Sequence, residues 1–96
     1  MAVKDDDWRI DLLDTCKDLR GVRLRRKAWC APRPSWDHDH CSVCMAKIWD
    51  RADPAQGEYL DGYATCEDFA RGADYAWVCV ECFHDFKDRM GWREAT

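Results

Sequence analysis

A chain of 96 residues has room for one small domain, and no apolar run in it approaches the roughly 18 residues of a membrane span. Its net charge of -4 excludes a general nucleic-acid binder held by bulk charge. At this length a core buries only about two-thirds of the unfolded surface, so packing alone leaves the domain marginal.

Six Trp, three Tyr and three Phe provide bulk, but a mean hydropathy of -0.66 leaves little aliphatic filler. Seven Cys offer the staple that such a chain needs, as disulfides or as metal ligands. Met1 is followed by A-V-K-D-D-D, which lacks the apolar segment of a signal peptide. An odd number of cysteines would also leave one thiol unpaired outside the cell. The expectation is a cytoplasmic protein, without membrane attachment, whose paired cysteines hold metal.

Residues 1–35 read as an N-terminal helix followed by a basic strand. The helix is expected over residues 11–20, with Leu12, Cys16 and Leu19 on one face, Asp11 as cap and Gly21 just past the end. Residues 22–28 alternate as a strand. Leu24 faces in, Arg23, Arg25 and Lys27 project from the other side, and Arg26 breaks the inner face. The A-P-R-P at residues 31–34 stops it. Arg20, Arg23, Arg25, Arg26, Lys27 and Arg33 all fall between Asp18 and Asp37, with no acid among them. The molecule is acidic with one basic stripe.

Residues 36–92 form the second part. A short apolar stretch (Ala46, Ile48, Trp49) leads into a loop at residues 50–57. Short strands are expected over residues 59–66 and 75–79, with a turn at Gly72. A helix is expected over residues 82–90, where Phe83, Phe86 and Met90 share a face, Asp85 and Arg89 pair at i,i+4, and Gly91 ends it.

The chemistry concentrates in W-D-H-D-H-C-S-V-C-M (residues 36–45) and W-V-C-V-E-C-F-H-D-F (residues 77–86). Two cysteines separated by two residues reach one metal from a tight turn, and two such turns fill a tetrahedral zinc shell. Cys41, Cys44, Cys79 and Cys82 are therefore the expected ligands of one structural Zn2+. The competing readings are weaker. A thioredoxin-like redox pair opens a helix within a βαβ pattern, which is not seen around Cys41, and two structural disulfides would require export.

The order of elements is a knuckle carrying the first pair, a hairpin, and a helix whose first turn carries Cys82. It resembles a treble-clef zinc finger over residues 38–91. The expected fold is thus a small α+β zinc-stabilised domain, treble-clef-like, with an added N-terminal helix and strand. The blocks W-D-H-D-H-C-S-V-C-M-A-K-I and Y-A-W-V-C-V-E-C-F-H-D-F-K also resemble a family of small uncharacterised bacterial proteins carrying W-D-H-x-H-C-x-x-C-x-A-K and W-x-C-x-x-C-F-x-D-F-K. W-R-I and L-R-G-V-R-L fit its layout upstream. The resemblance implies a stand-alone bacterial zinc protein and no particular activity.

His38 and His40 share one side of an extended segment with Trp36, while Asp37 and Asp39 point the other way. Three roles compete for the imidazoles: donors to the thiolates around the metal, ligands in place of a cysteine, or Asp-His activation of water. The last invites comparison with HNH-type nucleases, but there the Asp-His pair follows the first C-x-x-C, whereas Asp37-His38 and Asp39-His40 precede it. Only His84 lies in the helix, and the chain has no Asn. Four thiolates also close the shell that a catalytic zinc keeps open. Cys16, Cys30 and Cys66 read as small buried hydrophobes.

The expected function is non-enzymatic: a structural-zinc module that meets another protein, as a regulator, adaptor or immunity-type factor. The alternative is nucleic-acid binding through Arg23, Arg25 and Lys27 with Trp29 and Trp36 alongside; an HNH-like nuclease ranks third.

Overall fold

In the computed structural model, which describes residues 6–95, a four-stranded sheet carries one long helix on its face. Residues 1–5, read above for the lack of a leader, lie outside that range.

Helical structure begins earlier than expected and is broken. A single α-turn, α1 (Arg9–Leu12), runs into a 3-10 helix (Leu13–Leu19) in which Cys16 leaves helical space at φ -121°, ψ 34°. The side chains of Thr15 and Cys16 explain the break. Thr15 Oγ1 donates to the Leu12 carbonyl at 2.6 Å and Cys16 Sγ to the Leu13 carbonyl at 3.5 Å, competing with the backbone ladder. The buried face is Leu13, Cys16 and Leu19, spaced by three as a 3-10 helix requires, and Leu12 is only half-buried. Asp11 sits inside the first turn and caps nothing. Asp7 does that work, its carboxylate accepting the Arg9 N–H at 2.9 Å.

Strand β1 (Arg23–Ala28) forms as its alternation dictates. It pairs antiparallel with β4 (Asp61–Thr65), from Leu24 opposite Thr65 to Ala28 opposite Asp61. Strand β5 (Trp77–Val78) adds antiparallel to β4, so the expected hairpin exists with shorter strands. Gly62 permits that pairing, because a Cβ there would lie 3.0 Å from the Val78 carbonyl oxygen and 3.4 Å from the Trp77 ring. On the far side β6 (Arg93–Glu94), absent from the sequence reading, runs parallel to β1. A separate ribbon joins β2 (Asp39–His40) to β3 (Lys47–Ile48), with His40 opposite Lys47.

Helix α2 (Val80–Met90) starts two residues before its expected first residue, with Cys79 as N-cap, and ends on Gly91 in the left-handed region at φ 66°. Trp92 N–H then reaches back to the Lys87 carbonyl at 2.9 Å, closing the helix end. Its buried face is Cys82, Phe83, Phe86 and Met90. Phe83 lies parallel to Tyr63 of β4, ring centroids 3.7 Å apart, and to Trp92 at 6.0 Å. Each such aromatic contributes roughly 2–3 kcal/mol by burial. Trp92 Nε1 donates to the Leu19 carbonyl at 2.9 Å, tying the 3-10 helix to the end of α2. Asp85 accepts Arg9 at 2.8 Å, an ion pair that helical spacing does not reveal.

Candidate metal centre

Cys41 and Cys44 sit on the turn between β2 and β3. Cys41 N–H donates to the Ala46 carbonyl at 2.8 Å and Met45 N–H to the Cys41 carbonyl at 2.9 Å, with Met45 in the left-handed region at φ 68°. The turn is docked on β5, since Ser42 N–H donates to the Trp77 carbonyl at 2.8 Å. Docking brings Cys41 and Cys44 to Cys79 and Cys82 at the N-terminus of α2. The four sulfurs all lie within 4.8 Å of one another, and those of Cys44 and Cys79 are 3.7 Å apart. A tetrahedron with zinc–sulfur bonds of about 2.3 Å has an edge of about 3.8 Å, so this spacing suits a bound ion. None of the seven cysteines is in a disulfide. Two pairs that converge on one point are not what two separate redox motifs would need.

Cys41, Cys79 and Cys82 are buried, and Cys44 is half-buried beside a cleft of about 390 Å³ lined by Trp8, Arg9, Tyr59 and Glu81. The thiols of Cys44, Cys79 and Cys82 donate to Cys41 and hold it far below the ordinary thiol range. Cys41 in turn drives Cys82 up, because a second thiolate would face the first. Burial, then the charge of Cys79, raises the Tyr59 hydroxyl. Four sulfurs so close together cannot all ionise without a cation between them, which is the condition a tetrathiolate metal site meets.

N–H donors reach the sulfurs from the backbone and from one side chain. Val43 N–H points at Cys41 Sγ and Cys82 N–H at Cys79 Sγ, both at 3.4 Å. The side-chain donor was not legible in the sequence: Arg9 Nη1 lies 3.6 Å from Cys82 Sγ, across 73 residues of chain. The same guanidinium donates to Asp7 at 2.7 Å and Asp85 at 2.8 Å and sits 4.6 Å from the Phe86 ring centroid. Its bonds pull the Asp7 carboxyl down from 3.8 to about 2. Arg9 thus places positive charge against a cluster that carries a net negative one.

His38 and His40 do share a side, their rings edge-on at 4.8 Å. His38 Nδ1 pairs with the Asp37 carboxylate, which lowers the pKa of Asp37, and His40 is exposed. Among the described residues, neither imidazole is one of the N–H groups on the four sulfurs, and the metal-holding group comprises the four cysteines alone. Asp39 accepts the indole N–H groups of Trp29 at 2.9 Å and Trp36 at 3.1 Å, so Trp36 swings to the Asp39 side rather than staying with the histidines. His84 is exposed on α2, against Tyr63 and Phe83.

The basic stripe is on β1 as expected, but it is answered. Arg23 meets Asp68 at 3.6 Å, Arg25 meets Glu67 at 3.3 Å and Lys27 meets Asp74 at 2.8 Å. These acids come from the segment between β4 and β5. Arg26 pairs with Asp61 at 3.0 Å. Cys16 and Cys66 are buried as expected, whereas Cys30 is exposed, because the chain leaves the sheet at Trp29 for the exposed A-P-R-P segment. No family model, curated protein or solved structure matches the chain.

Proposed function

We propose that this protein is a non-enzymatic interaction module, built around one structural Zn2+ on Cys41, Cys44, Cys79 and Cys82, whose partner is another protein. The observation that carries the metal is the convergence of four cysteine sulfurs within 4.8 Å. Two C-x-x-C turns and a helix that presents its ligand at the N-terminus are the treble-clef order of parts, and a tetrathiolate set suits zinc. When bound, the ion supplies cross-linking of the turn, β5 and α2. Four thiolates fill its shell and weaken it as a Lewis acid, which argues against catalysis there. Regulator, adaptor and immunity-type factor are the roles such a module fits.

The nucleic-acid alternative loses ground through charge. Arg23, Arg25 and Lys27 each face a carboxylate, so phosphates would have to displace Asp68, Glu67 and Asp74. The HNH-like reading lacks support, since among the described residues the metal-holding group includes neither His84 nor the Asp37-His38 pair.

Elemental analysis of freshly purified, reduced protein tests the metal, and affinity capture by zinc-loaded protein tests the partner. One zinc per chain, lost together with the fold in Cys79→Ser, is the expected result. A metal-free folded chain would defeat the reading, and stoichiometric iron with visible charge-transfer bands would replace the ion.

A further inference from the structure

Arg23 and Arg93 are register partners in the parallel β1–β6 ladder, so their side chains leave the same face of the sheet side by side. Like charges at opposed positions repel, and the nearest carboxylate among the described residues, Asp68, meets Arg23 only at 3.6 Å. Both arginines line a cleft of about 340 Å³, together with Asp18 and Asp68, and Val22 and Phe69 offer apolar surface.

Hydrogen bonding within the chain does not satisfy this pair. Arg23 Nε is, among the described residues, the buried side-chain nitrogen or oxygen left without a hydrogen-bond partner. Asp68, at 3.6 Å, is too far to accept a hydrogen bond from it, and that carboxylate is 53% exposed. Arg93 is exposed and makes no ion pair with a described residue. A buried donor without an acceptor costs free energy in the empty state, and a ligand oxygen that drew the Arg23 fork round would recover it.

We propose that this cleft binds an organic carboxylate. Two guanidiniums on one side match the paired oxygens of a carboxylate. Val22 and Phe69 take the apolar body of the ligand, which inorganic phosphate lacks. The carboxylate comes either from a small free acid or from the C-terminus of a peptide. The site is remote in sequence from the four cysteines and does not depend on the metal reading.

The test follows side-chain Nε–H signals of arginine in 15N-labelled, full-length protein. N-acetylleucine, its amide, inorganic phosphate and the tripeptide acetyl-Ala-Ala-Leu with a free C-terminus are titrated separately. The expected result is a saturable shift of the Arg23 signal with the two carboxylates and none with the amide. Arg93→Gln, at an exposed position, should weaken binding about tenfold, as loss of a charged hydrogen bond implies. Tighter binding of the tripeptide identifies a peptide terminus as the source, and equal binding identifies the small acid. Absence of saturable shifts with either carboxylate, an equal response to the amide, or tighter binding of phosphate overturns the proposal.

Discussion

Replacing Arg9 by Met keeps an apolar stem over Phe86 and deletes the guanidinium, with its bonds to Asp7 at 2.7 Å, Asp85 at 2.8 Å and Cys82 Sγ at 3.6 Å. A hydrogen bond to a charged group contributes about 1.5–3 kcal/mol. Asp85 is 32% exposed and is rehydrated when the partner leaves, which places its loss at the lower end. The cation over Phe86, 4.6 Å from the ring centroid, adds about 0.5–1 kcal/mol. Together these give at least about 2 kcal/mol, before the Asp7 pair is added, which in a domain of this size lowers Tm by roughly 10 °C or more. A second effect distinguishes Arg9 from an ordinary tie between segments. Its charge lies against a cluster made negative by four thiolates, and loss of such an outer partner weakens metal binding about tenfold or more. Thermal melts of the zinc-loaded protein read the first effect, and competition with a chromophoric chelator reads the second. Zinc affinity within twofold of wild type would refute the electrostatic role, and an unchanged Tm as well would refute the packing argument.

His38→Gln and His40→Gln should each retain one zinc and lower Tm by only a few degrees, and metal release from His40→Gln would make His40 a ligand. Replacing Arg23, Arg25 and Lys27 together by Gln removes three exposed ion pairs, each contributing at most about 1 kcal/mol, so denaturant melts should show a small loss of stability. The wild type should bind labelled oligonucleotides weakly even at low salt, and micromolar affinity abolished by the triple variant would reinstate the nucleic-acid reading. Asp7, lowered from 3.8 to about 2 by Arg9, contributes stability that is fully present above its ordinary value and lost as pH falls toward about 2. The stability gap between wild type and Asp7→Asn should therefore narrow with acidification below pH 4, and a gap that stayed constant would exclude this carboxylate as its source.

What could be read in advance was whatever depends on short spacings. C-x-x-C twice names the four cysteines whose sulfurs converge, and Phe83, Phe86 and Met90 name the face of α2 without knowledge of what they pack on. The Arg9 contact spans 73 residues and has no local signature. Glu67, Asp68 and Asp74 look like ordinary loop acids until the sheet brings them to β1. Strand β6 has only two residues, too few to alternate. The split first helix was hidden because Leu12 and Leu13 serve periods of 3.6 and 3 about equally well over so few residues.

Cys82 and Phe83 are adjacent, and the two residues are 0% and 1% exposed to solvent, one in the cysteine cluster and the other against Tyr63. That adjacency makes the chain intolerant of length change at one place. An added or deleted residue between Val80 and Cys82 rotates the rest of α2 by about 100° relative to Cys79 and carries both side chains off their targets. The exposed turn at Pro54–Gln56 carries no such double duty and should absorb insertions. Variation in length among descendants of this sequence is expected to collect there, and a scan of single-residue insertions would map the metal cluster without measuring metal at all.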